Sequence, residues 1–64
     1  MGKAEIFLLQ TFPDMGREVW AKWDEEAGIY ELFLSQEADD YVGCADSVAD
    51  ARKVARDLAK EWMN

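Results

Sequence analysis

Ser47 to Trp62 carries the pattern that most constrains what this chain can fold into. At about 100° per residue, Val48, Ala51, Val54, Ala55, Leu58, Ala59 and Trp62 fall in one broad apolar stripe. A helix with one such stripe must lay it on another element. Ser47 suits the N-cap, where its hydroxyl can accept from an amide two or three residues on. Asp50, at the third helical position, complements the dipole. Arg52, Lys53, Arg56 and Lys60 gather on one flank of the stripe; Asp50, Asp57 and Glu61 gather on the other.

The residues ahead of the helix read as strands. Ala4 to Phe12 holds the apolar run Ile6–Leu9, and Pro13-Asp14-Met15-Gly16 has the chemistry of a tight reversal. Arg17 to Asp24 alternates: Val19, Ala21 and Trp23 share the face expected to meet the helix, while Glu18, Trp20 and Lys22 share the other. Asp24-Glu25-Glu26-Ala27-Gly28 reads as a hairpin loop with Gly28 left-handed. Ile29 to Ser35 is a third strand with large apolar groups on both faces. Gln36 to Asp40 is a polar loop. Tyr41 to Ala45 is a short fourth strand in which Gly43 marks a bulge or a close backbone approach. The expected fold is α+β, one small domain over residues 1–64: a three- or four-stranded antiparallel sheet with one C-terminal helix packed on one face (β-β-β-(β)-α).

At 64 residues such a domain buries only about 60% of its unfolded surface. Cys44 is the single cysteine, so no disulfide can form within the chain. Zinc is disfavoured because no histidine is present. No motif calls for a metal or a cofactor. Support must come from the aromatic residues Trp20, Trp23 and Trp62 or from self-association. The net charge is −7, against generic phosphate binding and in favour of a basic partner. The charge is split: residues 1–46 hold eleven acids against three bases, and residues 47–64 hold three acids against four bases. No apolar run reaches the length of a signal peptide or a membrane span. A soluble cytoplasmic protein is expected.

Two stretches resemble the HicB-type antitoxins. Asp24-Glu25-Glu26-Ala27-Gly28-Ile29-Tyr30 is similar to that family's acidic hairpin, which ends in glycine and leads into a tyrosine-headed strand. Gly43-Cys44 followed by Ala45-Asp46-Ser47-Val48-Ala49-Asp50-Ala51 is similar to its Gly-Cys strand and helix start. The resemblance spans roughly Val19 to Leu58. It implies a β-β-β-α domain of partial ribonuclease-H-like shape that masks a small basic RNA-cleaving toxin. The family's Pro-Asp-Leu-Pro segment is replaced by Glu37-Ala38-Asp39-Asp40-Tyr41-Val42, and no room is expected after Asn64 for its DNA-binding segment. Three strands and a helix also resemble the arm-binding domains of phage integrases and plant AP2 domains. Those read DNA with a basic sheet, whereas the acids here lie on the sheet and its loops.

Each sharp reading has a plainer competitor. The carboxylates Asp24, Glu25, Glu26 and Glu37, Asp39, Asp40 could hold a hard cation, but lack the spacing of a calcium loop; solvated loops are the better expectation. Glu31 could do acid–base chemistry; an ordinary strand position is favoured. Cys44 lacks a basic partner for nucleophilic work and is expected as a small buried apolar residue. Arg52, Arg56 and Lys60 form a ridge that could meet nucleic acid; a solvated helix flank is favoured. Trp20 points away from the helix, beside Phe33, as an interface anchor or as part of a second small cluster.

Two functions follow as expectations. The first is a non-enzymatic acidic interaction module, antitoxin-like or of phage-inhibitor type, that dimerises or binds a basic protein. Its partner-binding residues would be Trp20, Phe33, Asp24, Glu25, Glu26, Glu37, Asp39 and Asp40. The alternative is a small nucleic-acid-binding domain acting through Arg52, Arg56 and Lys60.

Overall fold

The computed structural model describes residues 5–63. Four strands precede one helix: β1 (Ile6–Phe12), β2 (Arg17–Asp24), β3 (Ile29–Phe33), β4 (Tyr41–Ala45) and α1 (Val48–Trp62). The sheet is an antiparallel meander in the order β1-β2-β3-β4, with α1 packed against one face. This is the expected α+β fold, with the fourth strand present. Two bounds differ. β3 stops at Phe33 rather than Ser35, because Leu34 donates its N–H to Asp40 at 3.3 Å and the chain begins to turn. β1 begins at Ile6; Ala4 lies outside the described residues.

Local chemistry sets each connection. After β1 the chain makes one 3-10 turn, Pro13–Met15, with proline at its start and Gly16 at φ +64° accepting the left-handed exit. Between β2 and β3 the Asp24 carboxylate accepts the amides of Glu26 at 3.1 Å and Ala27 at 3.3 Å, and Gly28 donates to the Asp24 carbonyl at 2.7 Å. Between β3 and β4, Ser35 Oγ accepts the Asp39 amide at 3.2 Å. Ser47 caps α1, its Oγ accepting from the Asp50 amide at 3.1 Å.

The inner pair β2–β3 is regular, from Trp20↔Phe33 to Asp24↔Ile29. Both outer pairs slip by one residue. Leu8 pairs Trp20 but Gln10 pairs Val19, which leaves Leu9 as an extra residue in β1. Leu32 pairs Gly43 but Phe33 pairs Tyr41, which leaves Val42 extra in β4. Each is a bulge. The first turns Leu9 into the core, where it is buried.

The core lies between the sheet and α1: Leu9, Val19, Ala21, Leu32 and Ala45 from the strands meet Ala51 and Ala55 from the helix. Ala51, Ala55 and Ala59 are the helix's buried residues, one turn apart. Alanine at the contact lets α1 approach closely; a Cβ built on Gly43 would stand 3.5 Å from Val54 Cγ1. That is an ordinary van der Waals distance, so Gly43 is next to the bulge at Val42 and is not forced by a close backbone approach. The largest fully buried side chains are only Leu32 and Val19, each contributing about 1.5–3 kcal/mol on burial.

The helix runs obliquely over the sheet. It leaves β4 at Ala45 and ends above Phe12 of β1, where Trp62 meets the Phe12 ring edge-on at 5.9 Å. The Arg17 guanidinium lies 4.8 Å from the Trp62 ring centre, a cation–π contact that pins this end. The corner holding Phe7, Trp23 and Tyr30 is left beside the helix rather than under it. Trp23 is thus on the expected side of β2 but is 36% exposed, because α1 does not reach it.

Candidate interaction surface

The face of the sheet turned away from α1 has no layer over it among the described residues. Strand alternation and register place one apolar row straight across it: Leu8, Trp20, Phe33 and Tyr41, one from each strand. Trp20 and Phe33 are directly opposed, as the sequence predicts. Their exposure differs from the expectation of a bare aromatic pair. Phe33 is 8% exposed, with Tyr41 edge-on at 5.8 Å and Trp20 on its other side. Trp20 is half-buried, and its indole N–H donates to Glu18 Oε2 at 2.6 Å. The solvent-facing part of the row falls to the outer strands, with Leu8 45% and Tyr41 58% exposed. Sequence reasoning missed both. A straight count carried along each outer pair to Trp20 and Phe33 leads to Leu9 and Val42 instead; the one-residue slips in the two outer pairs bring Leu8 and Tyr41 into the row.

A second line crosses the same face: Ile6, Lys22, Glu31 and Cys44. Lys22 stands opposite Glu31 in the β2–β3 register. Glu31 is half-buried, an ordinary strand position. Cys44 corrects an expectation: it is a free, exposed thiol. It lies in an outer strand, and its position in the register turns it from the helix, so nothing buries it. Hydrogen bonding with the Cys44 side chain, followed by loss of water and the charges of Cys44 and Glu31, holds the Tyr41 phenol above its ordinary value of 10.0.

The acidic loops do not join this surface as a unit. Asp24, Glu25 and Glu26 sit at the β2–β3 hairpin; Glu37, Asp39 and Asp40 sit at the opposite end of the strands. β3 separates them by about 17 Å at about 3.3 Å per residue. The Asp24 carboxylate is committed to loop amides. Glu37 and Asp40 line an open groove of about 750 Å3 with Thr11, Arg17, Glu18 and Ser35. No group of three or more His, Cys, Asp or Glu side chains among the described residues is placed to hold a metal ion.

Arg52, Arg56 and Lys60 are all exposed, one helical turn apart, beside the buried alanines. They lie on the helix layer, across the sheet from Trp20 and Phe33. The structure therefore separates the two sets of predicted contact residues onto different sides. The uncovered corner on the helix side adds an aromatic group that the sequence reading did not single out. Tyr30 meets Phe7 edge-on at 6.1 Å and Trp23 at 4.8 Å.

No protein-family model, no curated protein and no solved structure matches the chain. No helix among the described residues is long and apolar enough to cross a membrane.

Proposed function

We propose that this chain is a non-catalytic protein-interaction module that docks through the open face of its sheet. The apolar row Leu8–Trp20–Phe33–Tyr41, spanning all four strands with no layer over it among the described residues, carries the reading. Leu8 and Tyr41 expose apolar surface at the two borders of the row, and the half-buried Trp20 beside Phe33 supplies the kind of aromatic centre that dominates interfaces. The acidic ends, Asp24–Glu26 and Glu37–Asp40, raise the encounter rate with a basic protein. An antitoxin-like or phage-type inhibitor is the concrete form, in which the carboxylates would imitate the phosphates that a nucleic-acid-binding protein meets. The exposed Cys44 thiol suits a reducing compartment such as the cytoplasm.

Light scattering combined with affinity capture from the native host tests this reading. Trp20→Ala together with Tyr41→Ala should lower the oligomer mass or abolish capture. A monomer that captures nothing in either form would remove it.

The exposed ridge Arg52, Arg56 and Lys60 supports a second reading, contact with nucleic acid through the helix. It requires binding that weakens with salt and disappears in Arg52→Ala/Arg56→Ala. No retention of DNA or RNA at low salt would end it.

A further inference from the structure

We propose that the open face is covered by a second copy of this chain, packed sheet to sheet about a twofold axis parallel to the strands. This rests on the interaction-module reading and names the occupant of that face.

Charge is the first argument. The chain carries fourteen acids and seven bases, yet the face is nearly balanced. Between its ends it presents Lys22 against Glu18 and Glu31. A strongly basic partner would find little to neutralise there. Two copies, each with a net charge of −7, meet less repulsion through a surface as nearly neutral as this one.

The pattern is also self-complementary. A twofold along the strands lays β1 over the partner's β4 and β2 over the partner's β3. Leu8 then meets the partner's Tyr41, and Trp20 meets the partner's Phe33. Lys22 meets the partner's Glu31, and symmetry repeats each contact. A twofold across the strands would instead set Lys22 on the partner's Glu18. That carboxylate is already held by the Trp20 indole at 2.6 Å, so the strand-parallel axis uses the freer acid.

Size sets the strength expected. Four strands about 4.8 Å apart and about 20 Å long give a footprint of roughly 400 Å2 per copy. Two such faces total about 800 Å2 in plane, below the roughly 1,200 Å2 of standard specific interfaces, so the dimer is a weak, concentration-dependent one. Sheets packed this way keep their strands within about 30° of one another. The monomer has need of the layer: five of its nine buried apolar residues are alanines, and Trp20, the one indole on the open face, remains outside that set.

Sedimentation equilibrium across protein concentration and salt is the test. The wild type should reach twice 7.3 kDa. Its association should tighten as salt screens the like charges, whereas binding to a basic protein would loosen. Lys22→Glu should weaken the dimer at least tenfold, and adding Glu31→Lys should restore it. Tyr41→Lys, at an exposed position, should give a folded monomer by circular dichroism. In unmodified protein, alkylation of Cys44 should slow as concentration rises. A dimer indifferent to Tyr41→Lys and to the Lys22/Glu31 exchange would overturn the proposal, since another surface would be in use. A wild-type monomer that captures a basic protein through Tyr41 would overturn the proposal and leave the module reading standing. A monomer that captures nothing would remove both.

Discussion

Ser47 shows how much one side chain contributes here. Its hydroxyl satisfies one of the orphan amides at the start of α1. Ser47→Ala should cost about 1 kcal/mol, read by urea denaturation. Ala38 is the opposite case. It sits at φ +60° in the β3–β4 loop, a conformation that disfavours any residue with a Cβ. Ala38→Gly should raise stability by about 0.5–1 kcal/mol, the relief exceeding the added freedom of the unfolded chain. Tyr41 ties folding to alkaline pH. Its phenol is held above 10.0 in the fold, so the neutral form is favoured. That contribution is complete below pH 10 and is lost as pH rises through the folded-state value. Tyr41 is mostly exposed, so the effect is small. It should appear as a decline of the melting temperature above pH 10 that is slightly shallower in Tyr41→Phe.

Among the elements, β2 and α1 are the most legible in sequence. The alternation of Arg17–Asp24 and the stripe from Val48 to Trp62 each encode an element with its buried side. The hairpin turns are legible too, because Gly28 and Pro13 state their geometry locally. What the sequence does not show is how far the helix reaches. The pattern puts Trp23 on the helix side correctly, but its exposure depends on the oblique path of α1, a property of the assembled layers. Cys44 fails for a related reason: free cysteine is usually buried, and only the cross-strand register reveals that its side of β4 is bare. The slips at Leu9 and Val42 are equally invisible, since one inserted residue leaves no mark in composition. At this scale Trp62 anchors the far end of α1 on Phe12 and Arg17. Trp62→Ala should cost about 3 kcal/mol, a large share of what so small a domain has. Amide exchange should show the last turns of α1 opening first.

Taken whole, the molecule is a thin two-layer body with acids at both ends of its strands and bases along its outer helix. Self-repulsion among its charges opposes compactness. Raising salt from about 0.05 M to 0.5 M, where screening is nearly complete at contact distances, should therefore raise the melting temperature even under conditions that keep the protein monomeric. The two strands with a bare backbone edge, β1 and β4, are the two that contain bulges, at Leu9 and at Val42. A kinked edge is a poor template for a neighbouring chain's strand. Side-by-side growth into a continuous ribbon, the route to fibrils, is blocked at both borders. Stacking through the flat side closes after a single addition, since each protomer has just one such side to offer. Deleting Leu9 or Val42 would straighten a border and remove that protection against polymerisation.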